Sequence, residues 1–262
     1  VTFATTNTGS GTTTYNWTND NTVIGLTSSG TGDIASFTAT SSAVAPIVGN
    51  ITVTPVYENN GVSCTGTAET FSITVNPSPL VNFSEADQVI VTGETTTAVN
   101  LTSPTTDVTF AWTVSVPTGI TGVTTLTGTD NIPAETLINS TTGPLDVVYT
   151  AIATGDVGFD CEGLPTDYTV TVNPQAQVNP VDDQVICNDE NLTIEFSTIV
   201  TGGTTTFSWT NDNTAIGLDA TGTGNIDITV INTTDQPLTA NIVVTPSFEN
   251  DGDTNTGNST TF

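Results

Sequence analysis

The sequence predicts an all-β protein, made of β-sandwich repeats arranged in a linear array. Three observations lead to this fold class. Several sequence markers return with one common period along the chain. Apolar residues alternate with polar ones over short stretches, which is typical of strands with one buried face. Threonine, valine and isoleucine are abundant, and these β-branched residues fit pleated strands better than helices.

The first marker is a tryptophan-centred segment. Tyr15–Leu26 reads YNWTNDNTVIGL and Phe207–Leu218 reads FSWTNDNTAIGL, while Phe110–Thr113 keeps only FAWT. The period is about 96 residues, close to the roughly 100 residues of one immunoglobulin-type sandwich. The markers contain the only tryptophans of the chain, Trp17, Trp112 and Trp209.

Other markers recur with the same period. FSITVNP at Phe71–Pro77 returns as YTVTVNP at Tyr168–Pro174, and DQVIV at Asp87–Val91 returns as DQVIC at Asp183–Cys187. Markers that keep one spacing indicate a tandem repeat rather than chance similarity.

The markers divide the chain into three repeats, 1–77, 78–174 and 175–262, called below the first, second and third repeat. Proline lies at both boundaries, at Asn76–Pro79 and at Asn173–Gln175. Proline ends a preceding strand and stiffens a linker. The first repeat lacks a DQVI segment and the third stops where ITVNP is due, so we expect a parent chain that continues in both directions.

Strands and turns follow in order within each repeat. Phe71–Val75 and Ile226–Val230 alternate strictly between apolar and polar residues, which predicts strands with one buried face. The DQVI segments are predicted as opening strands. The glycine-containing clusters Ser29–Gly32 and Thr221–Gly224 are predicted as turns between strands. No stretch shows helical periodicity with caps.

The marker set resembles the PKD-like, immunoglobulin-like repeats of giant secreted surface proteins of the Bacteroidota. The matching pattern is DQVIC, F-x-W-T, V-T-P, C-x-G and F-x-I-T-V-N-P, and it covers essentially the whole chain. The resemblance implies immunoglobulin-like sandwiches and export to the cell surface, by the type IX secretion route. It also implies membership in an adhesin, a gliding-motility protein or an extracellular filament.

The three tryptophans are predicted to be core anchors. Trp17, Trp112 and Trp209 each follow a threonine-rich run on an alternating strand. A tryptophan on a central strand commonly fills a sandwich core. The alternative is an exposed ring that stacks on a sugar.

The three cysteines allow one disulfide across a repeat boundary. Cys64 and Cys161 occupy matching places, where the third repeat has Asn255, whereas Cys187 lies in the DQVIC segment, opposite Val91. Pairing across the second boundary predicts a Cys161–Cys187 bond, which would suit an exported protein. The alternative is three free thiols that behave as small apolar side chains.

Composition excludes several function classes. The chain has no Lys, Arg or His and a formal net charge of −27. Binding of nucleic acid requires cationic side chains, so it is not expected, and no apolar run reaches the roughly 20 residues of a membrane span. Without histidine or lysine, nucleophile–base pairs and Schiff bases cannot form. We therefore predict no enzyme activity and no organic cofactor.

Calcium is the one cofactor left open, because it binds carboxylate and carbonyl oxygens. The candidate clusters match no EF-hand loop, and those of the Asn-Asp-Asn type also fit ordinary turns, which is the interpretation we favour. They are Asn19–Asn21, Asp182–Asp183, Asn211–Asn213 and Glu249–Asp253.

Two functions remain. The first is a structural repeat in a secreted, cell-surface stalk, fibre or adhesin, whose partners are neighbouring repeats or other copies in a homo-oligomeric filament. The second is an adhesive module that binds a surface glycan or protein through loops of the second repeat, where Val114–Glu135 replaces the TNDNT segment. Loops are the usual binding sites of a sandwich.

Overall fold

The chain is all-β, as the sequence predicts. The structure, a computed structural model, describes residues 1–7, 9–155 and 161–262. Within these ranges its only helical elements are two short 3-10 helices, Thr22–Ile24 and Thr214–Ile216. Both begin at the last threonine of the repeated TNDNT segment. The side chains of Asn21 and Asn213, just before each helix, accept a hydrogen bond from its first turn.

The first repeat contains one five-stranded antiparallel sheet. Its order is β2-β1-β3-β4, with β5 paired to the other part of the same β3 edge. The central β1 and β3 run side by side from Thr12 opposite Glu58 to Asn19 opposite Ile51. The strands are β1 (Thr12–Asn19), β2 (Ser29–Thr31), β3 (Ile47–Asn59), β4 (Val62–Thr65) and β5 (Glu69–Val75).

The second repeat contains a five-stranded sheet of order β11-β9-β13-β14-β7, and its edge strand β7 is parallel to β14. Two small sheets, β6-β8 and β10-β12, accompany it. The strands are β6 (Asn82–Phe83), β7 (Gln88–Val91), β8 (Leu101–Thr102), β9 (Val108–Ser115), β10 (Ile120–Thr121), β11 (Thr127–Gly128), β12 (Ile138–Asn139), β13 (Leu145–Gly155) and β14 (Thr166–Asn173).

The third repeat has the sheet order of the first. Its path is β17-β16-β19-β20, with β21 paired to β19, and a two-stranded sheet β15-β18 accompanies it. The strands are β15 (Asn191–Ile194), β16 (Thr204–Asn211), β17 (Thr221–Thr223), β18 (Ile226–Thr229), β19 (Ile242–Asn250), β20 (Asp253–Thr256) and β21 (Thr260–Thr261).

The core of the third repeat lies between two sheet layers. Trp209 and Val244 from the large sheet pack in one buried cluster with Ile194 and Ile226 from the β15-β18 sheet. Each of these strands turns alternate side chains inward, and burial of apolar surface between the two layers drives the folding of a sandwich. The first repeat has a corresponding cluster around Trp17, Ile24 and Ile51.

Two predictions about secondary structure are wrong. Ser29–Thr31 and Thr221–Thr223, predicted as turns, are the edge strands β2 and β17. Asp183–Cys187, predicted as an opening strand, contains no strand. The corresponding β7 pairs with β14, whereas in the third repeat β21 is short and its ladder ends at Phe262, which leaves Asp183–Cys187 without a strand beside it.

The chain forms two compact units. One consists of Val1–Asn82, Thr102–Phe110 and Ile152–Pro165, and the other of Phe83–Leu101, Ala111–Ala151 and Thr166–Phe262. The boundary between the second and third repeats thus lies inside one compact unit. The three repeat bounds inferred from the sequence stay a prediction.

Candidate functional site

All three tryptophans are buried, with exposed fractions of 6% for Trp17, 3% for Trp112 and 7% for Trp209. The indole N–H of Trp112 donates to the Asp130 carbonyl at 2.8 Å, and that of Trp209 donates to the Gly224 carbonyl at 3.1 Å. A ring buried to this extent has no free face for a sugar, so the alternative role in carbohydrate stacking loses its basis.

The repeated Asn-Asp-Asn segments form closed turns. In the first repeat the Asn19 side chain accepts from Asn21 N at 3.0 Å and donates to the Leu26 carbonyl at 2.9 Å. The Asp20 carboxylate accepts from the backbone and side-chain nitrogens of Asn50 at 2.7 and 2.8 Å. These hydrogen bonds hold the pKa of Asp20 below its ordinary value. The third repeat reproduces this arrangement at Asn211, Asp212 and Asn241.

These turns use their oxygen atoms for internal hydrogen bonds, as Asx turns do. In the described part of the chain, no three His, Cys, Asp or Glu side chains are grouped so that they could hold a metal ion. Specific calcium binding, which the sequence left open, stays untested, and these two turns fit the alternative of ordinary Asx turns.

The loop proposed as a binding surface in the second repeat is held by a buried carboxylate. Glu135 is 4% exposed, and its Oε1 accepts from Thr124 N at 2.7 Å, Thr124 Oγ1 at 2.8 Å and Thr125 N at 3.1 Å. Its Oε2 accepts from the Tyr149 hydroxyl at 3.3 Å. Burial, and then the nearby Glu135 charge, raise the pKa of Tyr149 above its usual range. The loop is thus fixed to the sandwich by hydrogen bonds, and its role in binding stays a prediction.

The three cysteines are free thiols in the structure: Cys64 and Cys187 are exposed, and Cys161 is partly buried. The predicted Cys161–Cys187 bond is not formed here and stays a prediction. Its test is the intact mass of the protein with and without reductant. The bond predicts a loss of two hydrogens without reductant, and three alkylatable thiols in that state would contradict it.

The boundary between the second and third repeats is a packed joint. The Asn255 side chain, 7% exposed, accepts from Ala176 N at 2.8 Å and donates to the Pro174 carbonyl at 3.2 Å. Gln175 Nε2 donates to the Thr256 carbonyl at 2.8 Å. The linker after β14 is therefore attached to β20 of the third repeat by hydrogen bonds between side chains and backbone.

Apolar and backbone contacts close the same joint. Ala176 from the linker forms a buried cluster with Val200 and Phe248 of the third repeat. Nearby, Thr201 N donates to the Thr142 carbonyl at 2.8 Å, which links a turn of the second repeat to a turn of the third. A buried side chain and directional hydrogen bonds together restrict rotation about the linker.

The third repeat also has a groove of about 470 Å³. Its lining includes the Asp183–Ile186 segment, Pro237–Ile242 and Phe262. In the first repeat, the corresponding stretch of β3 is covered by β5, from Ile51 opposite Phe71 to Ile47 opposite Val75. The groove thus occupies the position that a longer final strand holds in the first repeat.

Sequence reasoning missed two structural groups. Glu135 belongs to no recurring sequence motif. Its role in holding the loop is seen only from its contacts with Thr124, Thr125 and Tyr149. Asn255 had a signal, because it replaces the cysteines of Cys64–Gly66 and Cys161–Gly163 before the same glycine. The sequence showed this equivalence but not the partner of the position, which is the linker.

A membrane-crossing helix is not found among the residues that the structure describes.

Comparison with known protein families gives a match over most of the second repeat. Residues 88–176 match the family described as the PKD-like domain. No curated protein matches the chain.

Three solved structures are among those similar to this chain. Sidekick-1 immunoglobulin domains 1–5 are 14% identical with a TM-score of 0.32, and the alignment covers 97% of this chain and 54% of that one. The chicken CNTN1 FN1–FN3 domains are 9% identical with a TM-score of 0.29, over 95% and 88% of the two chains. The titin I-band fragment I67–I69 is 11% identical with a TM-score of 0.26, over 80% and 72%.

This chain spans about half the length of the Sidekick-1 fragment, and nothing about function follows from likenesses with TM-scores this low. The family match and the all-β structure support an immunoglobulin-like, PKD-like repeat at residues 88–176, a kind of module typical of extracellular proteins and typically non-catalytic.

Proposed function

We propose that this chain is a spacer segment of a secreted, cell-surface fibre or adhesin stalk, in which successive repeats are joined stiffly. The observation that carries the proposal is the joint between the second and third repeats. A flexible linker would leave Pro174–Ala176 in solvent, whereas here the linker is hydrogen-bonded to Asn255 and buries Ala176.

The composition supports the same function. A spacer needs no reactive side chains, and a chain without Lys, Arg or His has few means of acid–base or nucleophilic catalysis. Its charge of −27 favours solubility and repulsion between copies at low salt. Repulsion of this kind would keep such stalks apart, so a homo-oligomeric filament would need high salt or a bridging cation.

The test measures how freely the second and third repeats move. Spin labels are placed at the exposed positions Thr113→Cys and Thr210→Cys, with Cys64, Cys161 and Cys187 replaced by serine. Double electron–electron resonance then gives the distance distribution between the labels. A stiff joint predicts one narrow distribution, and insertion of Gly-Ser-Gly-Ser after Pro174 should broaden it. The spacer proposal would be overturned if the distance distribution without the insertion were as broad as the one with it.

A further inference from the structure

A three-residue motif recurs beside the linkers. It reads Cys64-Thr65-Gly66 in the first repeat, Cys161-Glu162-Gly163 in the second and Asn255-Thr256-Gly257 in the third. In each case the glycine N–H donates to a carbonyl of the long neighbouring strand: Gly66 to Pro55 at 2.9 Å, Gly163 to Ala153 at 2.8 Å and Gly257 to Pro246 at 3.0 Å. The glycine therefore has the same backbone position in all three repeats.

The linker carbonyl lies directly against this glycine at both boundaries. A Cβ atom built on Gly257 would overlap the carbonyl oxygen of Ala176, and one built on Gly163 would overlap the carbonyl oxygen of Pro79. Ala176 and Pro79 are equivalent, since each is the second residue after an Asn-Pro pair. The two joints thus share one contact, although the surrounding side chains differ.

At Gly66 in the first repeat, the three atoms nearest to a built Cβ all belong to Pro55. The nearest atom to a Cβ built on Gly66 is Pro55 Cγ at 3.0 Å, and the corresponding Pro246 Cγ is also 3.0 Å from a Cβ built on Gly257. Gly66 and Gly257 therefore have matched local surroundings, and the linker carbonyl is the contact that distinguishes Gly257.

We propose that the Cys/Asn-x-Gly motif is a docking notch for the linker that enters the same repeat, and that the missing side chain of its glycine is what admits the linker. This inference rests on the proposed spacer function and gives the joint its specific contact. In the third repeat Asn255 adds two hydrogen bonds to the linker backbone, whereas cysteine at the same position in the other repeats lacks an amide to make them.

The glycine is required because a carbonyl oxygen at this distance leaves no room for a Cβ atom. The opposing atoms are backbone on both sides, so no side-chain rotation can relieve the overlap. An alanine must therefore push the linker away from β20, which would also break the bonds between Asn255 and the Pro174–Ala176 backbone.

The experiment compares Gly257→Ala with Gly66→Ala in the spin-labelled chain. Both alanines meet a proline Cγ, and only the one at 257 meets a linker. We expect Gly257→Ala to widen the distance distribution across the joint about two-fold and Gly66→Ala to leave it unchanged. Equal narrow distributions in both variants would overturn the notch.

A second variant covers the case in which Gly257→Ala fails to fold. Asn255→Ala adds no atom and removes the two linker hydrogen bonds, so it should broaden the same distribution while circular dichroism stays that of a folded β protein. An unchanged distribution would count against the notch. The proposed spacer function fails separately, when the chain with Gly257 and Asn255 intact already gives a broad distribution.

Discussion

Each tryptophan faces a glycine on the neighbouring edge strand. The pairs are Trp17 with Gly30, Trp112 with Gly128 and Trp209 with Gly222. A Cβ atom on any of these glycines would overlap the indole ring. The glycine therefore makes room for the largest side chain of the core, and the sheet can keep its strand spacing around the ring.

Replacing Gly222 with alanine should destabilise the third repeat. The added methyl group must displace the Trp209 ring or the strand β17, and overpacking of this kind costs about 1–3 kcal/mol. Urea unfolding followed by circular dichroism measures the loss. Thr223→Ala is the matched control on the same strand, since Thr223 is exposed and its change should stay within about 0.5 kcal/mol. Equal stability of the two variants would contradict the packing role of Gly222.

The sequence predicted the tryptophans as core residues but not their glycine partners. The Trp segments alternate between apolar and polar residues, which indicates an inward face. Gly30 and Gly222 instead lie in threonine-glycine clusters, and such clusters are typical of turns. Only the strand register shows that these glycines lie opposite a large ring, and register depends on contacts far apart in the chain.

The Asp212–Asn241 pair should make stability depend on pH in the acidic range. The side-chain and backbone hydrogen bonds from Asn241 lower the pKa of Asp212 below its ordinary value of 3.8. A carboxyl whose pKa is lower in the folded state stabilises the fold above its unfolded pKa. That contribution is lost as the pH falls through the folded pKa.

Unfolding midpoints of the wild type and Asp212→Asn, measured from pH 7 to pH 2, test this expectation. The wild type should be the more stable protein at neutral pH, and the difference should shrink as the pH falls below 3.8. Asp235→Asn removes the same charge from an exposed bend and controls for net charge. A difference that stays constant down to pH 2 would argue against the Asn241 hydrogen bonds as its cause.

The final strand of a repeat determines whether the DQVI segment becomes a strand. In the second repeat β14 lies between β13 and β7, and its inward residues Tyr168, Val170 and Val172 are fully buried. In the third repeat the DQVIC segment has no such neighbour, and Val185 is fully exposed. The local sequence is nearly the same, so pairing with a distant strand, and not local propensity, makes the difference.

Extending the chain by Ser-Ile-Thr-Val-Asn-Pro after Phe262 should fill the groove of the third repeat. The register of β5 places the added isoleucine and valine opposite Ala240 and Leu238. The equivalent Ile73 and Val75 are partly buried, so each added residue should contribute less than the about 1.5–3 kcal/mol of full burial. We expect a higher unfolding midpoint, and slower hydrogen exchange at Gln184–Ile186. The control extension Ser-Asn-Thr-Ser-Asn-Pro has the same length without apolar residues. Equal exchange rates in both would show that the groove does not select an alternating strand.

The fold class could be predicted because both the repetition of markers and the alternation of apolar and polar residues can be read directly from the sequence. The contacts of the joint did not follow, because Asn255 and Gly257 meet Pro174 and Ala176 across about 80 positions of chain. Such contacts depend on which ends of two sheets lie next to each other in the folded chain. The sequence could mark the motif as recurrent, but its partner became visible only in the packed joint.

The charge of the whole molecule sets its response to salt. All 27 charged side chains are acidic, so they repel one another and the folded chain should become more stable as ions screen that repulsion. Magnesium and calcium screen equally at equal concentration, whereas a specific calcium site would accept the larger ion with more oxygen ligands. Comparing the stabilisation by the two cations therefore distinguishes general screening from a specific calcium site.

We expect CaCl₂ and MgCl₂, each at about 5 mM and so above the roughly 0.1–1 mM dissociation constants of extracellular calcium modules, to raise the melting temperature by the same amount. The closed Asn-Asp-Asn turns lead to this expectation, since Asp20 and Asp212 already accept hydrogen bonds from Asn50 and Asn241. A rise with calcium alone would contradict it. Asp20→Asn and Asp212→Asn would then show whether these turns bind the ion. Loss of the two carboxylates should abolish the calcium-specific rise in melting temperature and leave the rise with magnesium intact.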